Sequence, residues 1–180
     1  KRLDKVVKTR EQGRRARQKS AIPAVSVVGY TNAGKSTLFN AITNADVYVQ
    51  QQMFATLDPT LRNLPIDGLD HAILADTVGF IRELPHDLVA AFRATLEETR
   101  EADLLIHLVD RAVSNYKETI YEVNDVLNEI DANEVPQLLV YNKIDLLPDG
   151  HPGIDRDEHG RPYRVWLSAA HNVGLDLLVD

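Results

Sequence analysis

Lys35 and Ser36 close the stretch "GYTNAGKS" (residues 29–36), which fits the pattern G-x-x-x-x-G-K-[ST]. Its glycines, Gly29 and Gly34, let the backbone curl so that successive N–H groups face phosphate oxygens, and a helix starting there adds its partial positive charge. The candidate cradle is Asn32, Ala33, Gly34, Lys35, Ser36 and Thr37. In such a loop the Lys35 ammonium reaches the β- and γ-phosphates, and the Ser36 hydroxyl can ligate Mg²⁺.

Two further stretches carry matching chemistry. In "NKID" (142–145), Asn142 and Lys143 can brace loops and base. The Asp145 carboxylate can accept both the N1–H and the exocyclic amine of guanine. Adenine lacks that donor pair, and an unpaired buried acceptor costs roughly 1–3 kcal/mol or more. Ser168 and Ala169 ("SA") close the next strand. Between these lies "ILADTVGF" (73–80), where an apolar run ends on Asp76. Asp76 can hold Mg²⁺ through water, and the Gly79 N–H can meet a γ-phosphate. An element placed so is released on hydrolysis. A Gly-rich turn or a helix-capping loop would explain either outer stretch alone, but not their order and spacing.

The elements that must position these residues follow from hydrophobic patterning. "AVSVVG" (24–29), "LLIHLVD" (104–110), "QLLVYN" (137–142) and "RVWLSA" (164–169) read as buried strands. Leu61 to Ile66 and His71 to Ala75 flank "DGLD" and read as an antiparallel hairpin turning at Asp67-Gly68. Helices are expected from Gly34 to Ile42, from Pro85 to about Glu101, over 114–131, and after Gly174. Residues 44–59 and 148–162 read as loops. Strands alternating with helices imply a mostly parallel sheet with one antiparallel edge hairpin and helices on both faces. Ligands of such sheets sit at the carboxyl ends of the strands. Those ends are Gly29, Asp76, Asp110, Asn142 and Ser168, and all but Asp110 lie in the stretches above.

Composition fits one domain: 180 residues, 44% hydrophobic and 26% charged. There is no Cys, which excludes disulfides and thiolate metal sites. No apolar run approaches the ~18 residues of a membrane span, and no secretory leader opens the chain. A cytoplasmic monomer, in part membrane-associated but without stable insertion, is the expectation. The net charge of −7 is uneven: residues 1–20 carry nine Lys/Arg and two acids, and the remainder is net −14. A basic arm on an acidic body can meet a polyanion at one end. That arm is expected to be a polar linker helix, with residues 21–180 forming the main domain and the last helix cut short.

The order GxxxxGKS, DxxG, NKxD, SA resembles that of translation-factor-class P-loop GTPases. "GYTNAGKSTLFN", "FATLDPTLR", "LADTVGFIRELPHDLVAAFRATLEE" and "NKIDLL" narrow the resemblance to the HflX family of ribosome-associated GTPases, over essentially the whole chain. The resemblance implies a three-layer P-loop NTPase fold (a Ras-like G domain), GTP and GDP as ligands, Mg²⁺ as cofactor, and the ribosome as partner, most readily the large subunit and its rRNA. It also implies that residues 1–20 are the end of a preceding domain. By resemblance, Thr56 in "FATLD" is the switch threonine that covers Mg²⁺ and the γ-phosphate, with Thr60 the alternative. The catalytic set is then Lys35, Thr56 and Gly79, and the metal set Ser36, Thr56 and Asp76. Asn32 sits where potassium-dependent relatives carry an Asn, which implies K⁺ beside the phosphates; turn geometry is the competing explanation.

Phe80 stands where many GTPases carry a water-orienting Gln. A phenyl ring can neither donate to nor accept from the attacking water, so slow intrinsic hydrolysis is expected. The competing function is a guanine-nucleotide-dependent RNA-binding module in which hydrolysis is incidental and the basic arm docks RNA. His107 and Trp166 read as core residues. His151 and His159 share a solvated acidic loop, and Glu97, Glu98 and Glu101 read as a solvated helix face.

Overall fold

The computed structural model describes residues 22–43, 60–66, 69–76, 96–97 and 99–179. The expected basic helix at 1–20, Thr56, the Asp67-Gly68 turn, Gly79, Phe80 and the helix expected to start at Pro85 lie outside these, apart from helical residues between 96 and 100.

Among the described residues, seven strands form one sheet in the order β2-β3-β1-β4-β5-β7-β6. β1 (Ala24–Gly29) is flanked by β3 (Leu69–Asp76) and β4 (Leu104–Asp110), both parallel to it. β5 (Gln137–Asn142) and β7 (Pro162–Trp166) extend the parallel ladder. β2 (Thr60–Ile66) pairs antiparallel with β3, which is the expected hairpin.

Alternation along β1 explains the layers. Val25 and Val27 face one side with Leu38, Phe39, Ile42, Leu74, Ile106 and Leu108. Val28 faces the other with Leu105, Val123 and Leu127. Helix α1 (Lys35–Thr43) covers the first side, with Leu38, Phe39 and Ile42 buried at helical spacing. Helix α2 (Tyr116–Glu129) covers the second through Val123 and Leu127, one turn apart. Each such side chain contributes about 1.5–3 kcal/mol by leaving water.

Several boundaries differ from expectation. The Asn115 carbonyl accepts the N–H groups of Glu118 and Thr119, so α2 begins at Tyr116 rather than 114. Asp131 at φ 57° ends that turn early. The loop expected at 148–162 contains β6 (Gly153–Arg156), paired antiparallel with β7, so both sheet edges are antiparallel. "GIDR" is short and polar, as edge strands often are, and so lacks a period-2 signal. β7 runs over Pro162–Trp166 rather than the expected 164–169, so Ser168 and Ala169 lie past the strand instead of closing it. Pro162 is tolerated because the missing N–H falls at the first residue. Beyond it the Leu167 N–H still reaches the Tyr141 carbonyl at 3.0 Å, and Ser168 bridges Val173. A last helix, α3, spans Asp176–Val179.

Candidate functional site

The sheet order reverses at β1, and the loop leaving its carboxyl end is "GYTNAGKS". Open sheets of this kind bind ligands at such a switch point. Two glycines permit the loop. A Cβ on Gly29 would sit 2.4 Å from the Leu108 carbonyl oxygen of the neighbouring strand. Gly34, at φ 98°, would place one 2.5 Å from Asn142 Nδ2. Asn32 also lies in the left-handed region at φ 61°, which Asn tolerates better than most residues. That backbone supplies a local reason for Asn here apart from any cation.

Lys35 opens α1 and folds back over the loop. Its Nζ donates to the Gly29 carbonyl at 3.1 Å and to the Tyr30 carbonyl at 2.9 Å. Burial lowers the ammonium to about 8, partly countered by the charge of Asp76. A buried cation aimed across a curled backbone suits a phosphate, whose negative charge would favour the ammonium form further.

Ser36 Oγ donates to Asp76 Oδ2 at 3.3 Å, joining the start of α1 to the end of β3. Asp76 is buried. A hydroxyl and a carboxylate, both hard oxygen donors, fit Mg²⁺, which takes one or two such protein ligands and completes its shell with water and phosphate oxygens. Thr37 follows in the first turn of α1. Thr60, the alternative switch threonine, opens β2 opposite Asp76 in the register.

The second half of the site lies past β5. The Asn142 Nδ2 group donates to the Ala33 carbonyl at 2.9 Å, while its Oδ1 accepts the Ala169 N–H at 2.9 Å. One buried amide therefore ties the phosphate loop to the "SA" segment. Lys143, at φ 65°, donates from Nζ to the Asn32 carbonyl at 2.9 Å. Asp145 Oδ1 accepts the Ser168 hydroxyl, which orients the carboxylate. Asn32, Ala33, Gly34, Lys35, Ser36, Asp76, Asn142, Lys143, Asp145, Ser168 and Ala169 thus share one edge of the sheet.

Two residues at this edge carry no role in the sequence reading. Asp110 pairs with Lys143 at 2.6 Å; its position at a strand's carboxyl end was the available signal. His171 Nδ1 lies 3.2 Å from Ser168 Oγ and 3.6 Å from Asp145 Oδ2, a contact that no spacing pattern announces. His107 behaves as a core residue. It is buried, sits 3.3 Å from Gln137 Oε1, and burial lowers it to about 4. Trp166 is half-buried and donates from Nε1 to Asp155 at 2.9 Å. His151 and His159 are exposed, and the described residues contain no cluster of three or more His, Cys, Asp or Glu able to hold a metal.

Comparison with known proteins places this geometry in a family. The profile of the family described as 50S ribosome-binding GTPase matches residues 24–143. The chain is 61% identical to GTPase HflX of Escherichia coli (strain K12), over 98% of this chain and 42% of that protein. It is 49% identical to GTPase HflX of Caldanaerobacter subterraneus, over 99% of this chain and 40% of that protein. The chain therefore spans about two fifths of the length of these relatives. Among solved structures, a GTP-binding protein from Sulfolobus solfataricus in complex with GDP aligns at TM-score 0.67 and 30% identity, over 99% of this chain and 55% of that one. Era in complex with MgGDPNP and a segment of 16S ribosomal RNA aligns at TM-score 0.69 and 23% identity, over 88% of this chain and 54% of that one, a likeness of fold.

Proposed function

Because the chain belongs to the HflX family of P-loop GTPases, we propose that it binds GTP and hydrolyses it to GDP and phosphate, as a switch acting on the large ribosomal subunit. The observation that supports this best is the Asn142 amide, which joins the phosphate loop and the "SA" segment to the start of the NKID loop.

In this reading Lys35 leaves the Gly29 and Tyr30 carbonyls for the phosphates. The loop amides of 32–37 hold the same oxygens. Asp145 accepts the guanine N1–H and amine, and the Ala169 segment, fixed by Asn142, lies beside the base. Ser36 and Thr56 would hold Mg²⁺ directly and Asp76 through water, and when bound the ion would supply positive charge to the phosphates. Phosphoryl transfer to water then depends on positioning and charge stabilisation. Phe80 leaves the attacking water without the usual orienting side chain, so the missing group comes from backbone, from a cation such as K⁺ near Asn32, from another domain, or from the partner. Residues 21–180 are taken as the G domain and 1–20 as a basic linker toward RNA. No described helix is long and apolar enough to cross a membrane; we place the protein in the cytoplasm, a monomer, in part at a membrane surface.

The test is GTP turnover with and without purified ribosomal subunits, in potassium and in sodium. Basal turnover in the ~10⁻⁴–10⁻² s⁻¹ range of unassisted switches, raised by large subunits, is expected. RNA binding that weakens with salt and ignores the nucleotide would replace the switch by a binding module. Equal rates in the two salts would remove K⁺ from the account.

A further inference from the structure

Asp110 closes β4 directly beside Asn142 in the parallel register. Its two carboxylate oxygens are engaged separately. Oδ1 accepts the Ala112 N–H at 3.0 Å, which fixes the orientation of the group. Oδ2 accepts from Lys143 Nζ at 2.6 Å, and the same ammonium donates to the Asn32 carbonyl at 2.9 Å. Asp110 and Lys143 are 17% and 30% exposed as side chains, so this pair is partly shielded from water. Two consecutive carbonyls of the phosphate loop are thus held by two consecutive residues at the end of β5: Ala33 by Asn142, its last residue, and Asn32 by Lys143, the next. The first tie is neutral and is completed by the Ala169 N–H. The second depends on a flexible four-carbon stem. Without a countercharge that ammonium would be free to turn to solvent.

We propose that Asp110 is a positioning residue for nucleotide binding. It holds the Lys143 ammonium at the Asn32 carbonyl and so fixes the phosphate cradle relative to the guanine loop. Asp110 acts through Lys143 and touches no ligand. The inference rests on the guanine-nucleotide reading of this edge.

The role is one of charge, and Asp110→Asn keeps the size of the side chain and an acceptor for Ala112 while removing the anion. Fluorescent-GDP titration of the parent chain, Asp110→Asn, Lys143→Met and the double variant makes a closed cycle. The expected result is a roughly tenfold weaker Kd for Asp110→Asn, a similar loss for Lys143→Met, and little further loss in the double variant. For Asp110→Asn, which touches no ligand, the loss falls on KM for GTP rather than on turnover at saturating GTP. Asp110→Glu recovers part of the affinity. Additive losses in the double variant, or a parent-like Kd for Asp110→Asn, would overturn the positioning role alone. A parent chain that binds no GDP would overturn the nucleotide reading and this role with it. If Asp110→Asn does not fold, Asp110→Glu combined with Lys143→Met makes the same cycle: coupled losses support the role and independent losses overturn it.

Discussion

The proposed guanine side and the proposed phosphate side of this edge are built by different means. On the guanine side, side chains from separate elements hold one another. Asn142, Lys143 and Asp145 are tied to Ala33, Ala169, Asn32, Asp110 and Ser168 by direct hydrogen bonds. On the phosphate side, Lys35 bends back onto carbonyls of its own loop, and Ser36 reaches Asp76 at the longer distance of 3.3 Å. The first arrangement is fixed by the register of β4, β5 and β7. The second is local, and its groups can re-aim without moving a strand. Changes on the guanine side should therefore cost affinity and base choice. Changes on the phosphate side should cost chemistry and leave the fold alone.

The most damaging substitution is expected where the two sides meet. Gly34→Ala puts a methyl 2.5 Å from Asn142 Nδ2 and forces an L side chain to φ 98°. Nucleotide affinity should fall at least ~100-fold, with a stability loss on the order of 1–3 kcal/mol, read by calorimetric titration and urea unfolding. A wild-type affinity would mean that the two loops are not rigidly joined. Lys35→Met comes next and isolates the phosphate side. Single-turnover hydrolysis should drop by about 10²–10³-fold, while the urea midpoint holds or rises because a buried cation has been removed.

Asp145→Asn isolates the guanine side. An amide offers N–H to the C2 carbonyl of xanthine and its oxygen to N1–H. GDP affinity should fall by roughly 10–100-fold while xanthosine diphosphate gains, in competition titrations. A uniform loss for both bases would indicate a collapsed loop.

The smallest expected effect concerns the layer beneath both sides. His107 is lowered to about 4 when folded, against an ordinary value of 6.5. Between those values the unfolded chain binds a proton that the folded chain excludes. Stability is therefore complete above pH 6.5, falls by at most about 3 kcal/mol as pH drops toward 4, and falls no further from this group below that. His107→Leu should flatten that slope in urea titrations, and an unchanged slope would assign it to other groups.

The contrast also explains what the sequence made legible. The phosphate loop is one continuous stretch, so its residues, its strand and its helix are all visible locally. β1, β4 and β5 end as expected because each apolar run stops on a polar or Gly residue at the carboxyl edge. β6 was hidden because an edge strand such as "GIDR" shows solvent a polar face and has little pattern to read. The roles of Asp110 and His171 were hidden for a different reason. Asp110 meets a residue 33 positions away through strand register, and His171 meets Asp145 through the turn that brings Val173 back to Ser168. Motif spacing carries neither contact. The early end of α2 follows from a left-handed Asp131, which propensity does not foresee.

The central claim is that this edge recognises a guanine nucleotide through Asp145 and its phosphates through the loop at 32–37. Titration of the chain with GDP and with ADP, each with Mg²⁺, tests it most directly. The account predicts that GDP binds at least ~100-fold tighter than ADP. Equal affinity for the two, or binding of neither, would contradict it.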